Sequence, residues 1–530
     1  MSTHTGTARL IRFILRRDRV RLAVWVVGLA GVVIASASSL PPLYPDQQSI
    51  DQYALLFGDN PALVAFAGPG YGFDDPNLGV ILVNETQLWA CIAAALMSIF
   101  LVNRHTRAEE DDERADLLRS NVVGRHAPVT AAVVVVVGAN AVLAAVCAVA
   151  FVALGYATVG SVALAGSIGL TGLAFTAITV VAAQIASGGR AALGLASAFL
   201  GAAFVIRAVG DIAGSWVRWL SPIGWAQGLR AFAGEQWWPL GLCLVFVAGM
   251  FWLARVLFDR RDLGSGILTQ RAGRPRARRW LTSPIGLAVR LQRGTILGWT
   301  AATFIVGLVY GSIGESIEEM VADNPTFADV LAQQGGADIT ASFFATCMSQ
   351  IALLAAGFAI SAALRPRSEE VAGRAEQVLA MPLSRTAWVG SHLLVAAVGT
   401  VVVIGAGGLG VGISYATVSS DVNQITRMLG AAMATLPAVL VLGGLAVALF
   451  GASLRLSLIA WAGLAVTVLV QFFGELLQLP GWAMSLSPLQ HVPGLPAEDL
   501  EVVPLLALSL VAVTLAAVGV GSLRARDVAA

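Results

Sequence analysis

The sequence predicts an all-α polytopic membrane protein of about twelve transmembrane helices, arranged as two parallel six-helix repeats. Three observations carry this. The 530 residues are 57% hydrophobic and only 12% charged, about half the charge of a typical soluble domain. Apolar runs near the ~20 residues that a spanning helix needs recur along the whole length. They are too long and unbroken for barrel strands, which alternate over about ten residues. A charged segment also occurs twice, 260 residues apart and without a gap. The first copy reads Arg107-Ala-Glu109-Glu110, then Arg114-Ala-Asp116 and Gly124-Arg125. The second reads Arg367-Ser-Glu369-Glu370, then Arg374-Ala-Glu376 and Ser384-Arg385.

The expected spans of the first half are 22–41, 79–103, 128–156, 161–186, 191–210 and 237–257. Those of the second are 296–315, 342–364, 388–416, 429–451, 456–476 and 501–523. The basic N-terminal region leads into a run of spanning length with no small-residue cleavage pattern, so it reads as a first span and not a removable signal. An even number of spans puts both termini on one side. The N-terminal segment, the 104–127, 258–295 and 365–387 regions, the turns at Arg190 and Arg455 and the tail hold nearly all the arginines. By the positive-inside bias that side is the cytoplasm.

Ordered landmarks extend the duplication. Arg16-x-x-Arg19 with Trp25 matches Arg290-x-x-Arg293 with Trp299, and Asp59-Asn60-Pro61 matches Asp323-Asn324-Pro325. Ser221-Pro222 matches Ser487-Pro488, and Arg261-Asp262 matches Arg526-Asp527. Six spans per half make the repeats parallel, related by an axis along the membrane normal. The expected division is a first repeat over 1–262, a basic linker over 263–283 and a second repeat over 284–530. The linker's arginines lack interleaved aromatics and suit anionic headgroups better than nucleic acid.

Several chemistries are excluded. No lysine occurs anywhere in the chain, and a P-loop needs one to reach nucleotide phosphates, so ATP-driven work must come from another subunit. Cys91, Cys147, Cys243 and Cys347 lie inside apolar runs without CxxC spacing, which fits small buried residues. His4, His105, His126, His392 and His491 are scattered, so no metal site is expected. Neither a buried carboxylate pair nor a catalytic Ser–His–Asp order stands out, and the chain is not expected to be an enzyme.

The repeated segment has helical features. Val371, Ala375, Val378 and Leu379 fall on one face, and Ala115, Leu118 and Val122 make a weaker stripe. Glu110 to Arg114 and Glu370 to Arg374 are i,i+4 pairs in the favourable order, each worth about 0.2–0.5 kcal/mol. A short amphipathic helix across the arginine-rich ends of the spans is therefore expected in each half.

With these motifs the chain resembles the ABC-2 type exporter permeases, and most closely the fused twelve-span actinobacterial permeases of polyketide antibiotic and multidrug efflux. The resemblance covers essentially the whole chain. It rests above all on Arg107–Arg125, with Leu117-Leu118-Arg119-Ser120, and on Arg367–Arg385, with Leu379-Ala380-Met381-Pro382. It implies a bacterial plasma membrane protein with two coupling helices carrying Arg107, Glu109, Glu110, Arg114, Arg367, Glu369, Glu370 and Arg374. It further implies interfacial helices at Arg9–Arg21 and Pro284–Arg293, and re-entrant outer caps at 211–236 and 477–500. The implied partners are two copies of a separate ABC ATPase that binds ATP and Mg, membrane lipids and an amphiphilic small-molecule substrate. Alternating access would move that substrate outward. On this reading charge reversal of Glu110 or Glu370 reduces drug-stimulated ATPase activity and leaves the permease folded. The acidic run Glu109–Glu113 has no counterpart after Glu370, so the two coupling sites need not be equivalent.

Polar residues at membrane depth are costly and are functional candidates. Glu85, Gln87, Arg207, Gln350, Gln471 and Glu475 are the candidates for a substrate path. Trp216, Trp219, Trp225, Trp237 and Trp238 read mostly as interface anchors. Lipid or glycan cargo, a proton-driven twelve-span transporter and a transport-inactive scaffold are the alternatives.

Overall fold

The computed structural model describes all residues except 1–2, 58–63, 65–66, 112–122, 262–265, 268–275, 324–338, 474–478 and 527–530. Among the described residues the secondary structure is helical and includes no strand. Among the described residues eleven helices are long and apolar enough to cross a membrane, and a further apolar helix, Leu456–Gln471, is shorter. That helix covers most of the stretch expected to span at 456–476. The chain divides into two compact units, Met1–Gly273 and Arg274–Ala530.

The first unit contains α1 (Thr7–Arg17), α2 (Arg19–Leu43), α3 (Gln47–Phe57), α4 (Leu78–His105) and α5 (Arg107–Asp111). It continues with α6 (Ala127–Ala153), α7 (Thr158–Ile185), α8 (Gly189–Ile212), α9 (Pro222–Gln227) and α10 (Trp238–Arg260). The centre is α7, which packs against α4, α6, α8 and α10. Its composition explains the position, because small residues let neighbouring backbones approach. The hydroxyls of Thr171, Thr176 and Thr179 donate to carbonyls one turn back, at 2.6–2.9 Å, so no donor is left bare in an apolar setting. Asn140 of α6 donates to Ser98 Oγ of α4 at 2.9 Å. Gly172 makes room for that amide, since a Cβ there would lie 1.7 Å from Asn140 Oδ1.

The second unit contains α11 (Pro284–Asp323), α12 (Ile339–Ala363), α13 (Arg365–Val371), α14 (Arg374–Leu379) and α15 (Arg385–Ser419). It ends with α16 (Asn423–Ala434), α17 (Leu436–Ala452), α18 (Ala460–Phe473), α19 (Gly481–Met484) and α20 (Val502–Ala525). Here α11 and α15 make the tightest pair. A Cβ on Gly307 would come within 2.2 Å of the Gly407 carbonyl oxygen, and Thr303 Oγ1 donates to the Val403 carbonyl at 2.8 Å. Without water between them, spanning helices associate through such close backbone contact and interhelical hydrogen bonds.

One expectation needs correction. The segments Arg9–Arg21 and Pro284–Arg293 were both expected as separate interfacial helices. The first is a separate helix, α1, which ends at Asp18 (φ −107°, ψ 18°) before α2 begins. The second runs straight into its span as the 40-residue α11. The matching positions are Asp18 and Gln292, and glutamine is the better helix former. The Asp18 carboxylate lies 3.0 Å from Arg104 Nε, 2.9 Å from His105 Nε2 and 3.3 Å from Arg21 NH1. Gln292 keeps helical geometry and meets His392 Nδ1 at 3.3 Å.

At the opposite end of the first unit, a 3-10 turn over Trp216–Leu220 leads into α9, whose six residues are all buried. Ser221 caps α9 through Ile223 N and donates to the Ala203 carbonyl. Trp225 is buried and its indole donates to the Trp219 carbonyl at 2.6 Å, so it is a core residue and not an anchor. Trp216, Trp237 and Trp238 are exposed. In the second unit the corresponding stretch holds α19 and a 3-10 turn over Pro488–His491.

Candidate functional site

Each copy of the repeated segment sits at the arginine-rich end of its own unit, between the second and third spans. In the first, α4 ends at His105 and α5 begins at Arg107. Its three carboxylates reach three other elements. Glu109 pairs with Arg17 of α1 at 2.6 Å, and Glu110 pairs with Arg261, just past α10, at 2.5 Å. Asp111 accepts from the Gly189 amide at the start of α8 at 2.6 Å. Arg107 is almost fully buried and donates to Glu110 at 2.6 Å. At the far end of the segment Arg125 donates to the carbonyls of Phe258 and Arg261.

The second copy repeats one of these links closely. Glu370 receives Arg526, just past α20, at 2.7 and 3.0 Å. Arg385 donates to the Arg526 carbonyl at 2.8 Å, as Arg125 does to that of Arg261. In both units the element between spans two and three is thus bound to the end of span six. Such pairing is what a carboxylate with so little solvent requires, because an unpaired buried charge is strongly destabilising. The junction between the fourth and fifth spans is held in both as well, through Asp111 in one and through Arg367, which donates to the Leu454 carbonyl at 3.1 Å, in the other.

The copies differ at the first carboxylate. Glu109 reaches α1, whereas Glu369 is held by Arg365 at 2.9 Å and by Arg374 at 2.7 Å. This corrects the expected Glu370–Arg374 pair. Gly373, with φ 68°, breaks the segment into α13 and α14, so positions 370 and 374 no longer face one another as on one continuous helix. The break also removes Val371 from the expected stripe: it is 63% exposed, while Ala375 is buried and Val378 and Leu379 pack on the core. Arg114 and the Ala115, Leu118 and Val122 stripe lie outside the described residues.

Asp18 stands beside the first copy through Arg104 and His105. Burial works against its ionisation, but the hydrogen bond from Arg104, with the charges of Arg104, His105 and Arg21, outweighs this and holds the carboxyl below its ordinary value.

The membrane-depth candidates are divided between the two units. Glu85 is exposed on α4. Gln87 is buried and donates to Ser167 Oγ at 3.0 Å and to the Ala226 carbonyl at 3.2 Å. Arg207 is fully buried, 3.5 Å from Asp211, over the Phe204 ring and donating to the Val64 carbonyl. In the second unit Gln350 accepts from the Tyr310 hydroxyl, and Gln471 is half-buried near the end of α18. Glu475 lies outside the described residues. Sequence reasoning missed Arg17, Arg261 and Arg526 as partners of the segments. The signal for two of them was present in the matched Arg261-Asp262 and Arg526-Asp527 landmarks.

The chain is 37% identical over 533 residues to a Mycobacterium tuberculosis protein described as "Multidrug efflux system permease protein Rv1217c", covering 99% of this chain and 96% of that one. A family model described as "Multidrug efflux system permease Rv1217c, C-terminal domain" matches residues 281–524. The chain belongs to this family of ABC-2 type permeases. It is the permease subunit of an exporter, a multi-pass membrane protein whose role is transport. The permease's two best-defined charged networks are therefore the ones that hold its repeated segments.

Proposed function

We propose that this permease moves amphiphilic drugs or antibiotics out of the cell by alternating access, driven by two copies of a separate ABC ATPase docked beneath the two repeated segments. ATP and Mg are held by that partner. Both termini and both segments lie on the cytoplasmic side in this reading, in keeping with the arginine bias. The multidrug efflux described for the Mycobacterium tuberculosis relative supports the cargo class.

The observation that carries the reading is the recurrence of the Glu110–Arg261 and Glu370–Arg526 pairs. Each ties the segment between spans two and three to the end of span six. A displacement of the segment is then transmitted to three spans of its unit at once, and not absorbed by a loose loop. Near the second pair Val371 and Met381 are exposed at 63% and 56%, apolar side chains among the charged Arg374 and Glu376, which suits contact with a partner's groove.

The test is reconstitution of the permease, with a co-purifying Walker-type ATPase, into vesicles loaded with ATP. ATP-dependent drug movement with drug-stimulated hydrolysis is expected. Transport in ATPase-free vesicles under a pH gradient alone would overturn the reading in favour of a proton-driven carrier. Stimulation by a lipid or glycan but by no drug would overturn the cargo class alone.

A further inference from the structure

We propose that the groove between α1, α2 and α6 is a binding site for one anionic phospholipid, with an acyl chain in the groove and the phosphate on Arg12 and Arg16. The groove has a volume of about 450 Å³ and is lined almost wholly by apolar side chains, among them Ile11, Leu15, Val26 and Val142, with Gly138 at its wall. Gly138 gives it width, since a Cβ added there meets nothing within 4 Å. One side is open, with Leu15, Val27, Val134 and Val142 all exposed. Because α2 and α6 are spanning helices, that opening faces hydrocarbon.

The head end is built by α1. Its Leu10 and Ile14 are buried against Ala127, Ala131 and Val135 of α6. At about 100° per residue, Ile11 and Leu15 follow them round the helix to the groove, and Arg12 and Arg16 come next, at its rim. Both arginines are exposed, and among the described residues neither pairs with a carboxylate. Their neighbours Arg17 and Arg21 are taken by Glu109 and Asp18. Guanidinium forks match phosphate oxygens, and basic side chains at a membrane surface favour anionic headgroups. The hydrocarbon-lined groove below them selects a phosphate esterified to acyl chains over a free anion. The site owes its shape to the bend at Asp18, which lays α1 on α6; in the second unit α11 runs straight through the matching position. Since α1 also carries Arg17, the partner of Glu109, the lipid braces one anchor of the first repeated segment.

The experiment uses the full-length permease in mild detergent, with lipid retention read by native mass spectrometry. The probes are phosphatidylglycerol, phosphatidylcholine with the same acyl chains, and glycerol phosphate as the headgroup alone. The wild type is expected to retain one phosphatidylglycerol in preference to phosphatidylcholine and to ignore glycerol phosphate. The double variant Arg12→Gln/Arg16→Gln should bind phosphatidylglycerol about thirtyfold more weakly with phosphatidylcholine unchanged. Gly138→Leu, which fills the groove, should weaken both lipids, and an unchanged melting temperature in delipidated detergent shows that it folds. Equal retention of the two lipids by the wild type, competition by glycerol phosphate, or undiminished phosphatidylglycerol binding by a folded Gly138→Leu would each overturn the proposal.

Discussion

Glu370 and Arg526 meet at 2.7 Å although 156 residues separate them in sequence. The Glu370 side chain is 1% exposed, so its charge is held by the permease itself and is not displayed to a partner. The same holds for Glu110, whose two oxygens take Arg107 and Arg261. Charge reversal at these sites is therefore expected to disturb the fold as well as coupling.

Removing one member of such a pair should destabilise by about 3 kcal/mol, because the other charge is left behind with little water. Glu370→Ala is expected to lower the melting temperature of the purified permease clearly. The exchanged pair Glu370→Arg with Arg526→Glu should recover much of the loss. A double-mutant cycle on thermal unfolding measures the coupling, and a cycle energy near zero would contradict the assignment of this pair as an anchor.

Coupling should instead be sensitive at the exposed apolar positions. Val371→Asp and Met381→Asp remove little packing, so stability should stay within about 0.5 kcal/mol of wild type. Drug-stimulated ATP hydrolysis by the assembled transporter should fall severalfold in either variant. Hydrolysis assays and melting curves on the same preparations separate the two effects.

Gly307 touches the backbone of α15, and any side chain there must push two spans apart. Gly307→Leu is expected to cost about 1–3 kcal/mol through overpacking. The loss should be visible as reduced yield of folded protein and a lower melting temperature. By contrast Gly430, whose Cβ would meet nothing within 4 Å, should accept alanine with little change.

Asp18 sets an acid limit. Its carboxyl ionises below its ordinary value in the folded state, so the unfolded chain binds the proton more readily. The stability it contributes is fully present above the unfolded value of about 3.9 and is lost as pH falls through the folded one. Melting curves from pH 7 down toward pH 3 should show a steeper decline for the wild type than for Asp18→Asn. Parallel curves would rule out Asp18 as the source.

Much of the architecture was legible because spanning helices announce themselves locally. Twenty apolar residues suffice to define one, and the arginine bias needs only counting. The expected spans and the observed helices agree within a few residues over most of the chain, as at 79–103 against Leu78–His105. The missing elbow of the second half was not legible, since an arginine-rich stretch before a span reads the same whether the helix bends, as at Asp18, or continues, as at Gln292. The break at Gly373 was equally hidden, because glycine both interrupts helices and lies within them throughout this chain. Substrate candidates such as Gln87 and Arg207 stood out as costly polar residues, but only the fold shows which groups each one meets.

By itself the sequence determined the class and the repeated segment and excluded a lysine-bearing P-loop from this chain, because composition, period and a missing residue type are properties of the chain alone. Tertiary structure decided which charges are free. Glu110 and Glu370 look like surface charges along the chain, and they become internal anchors because the helix ends carrying Arg261 and Arg526 fold back beside them. An ion pair between residues 151 or 156 positions apart has no local signature. Its existence depends on where packing places two helix ends, and burial then makes the pairing obligatory.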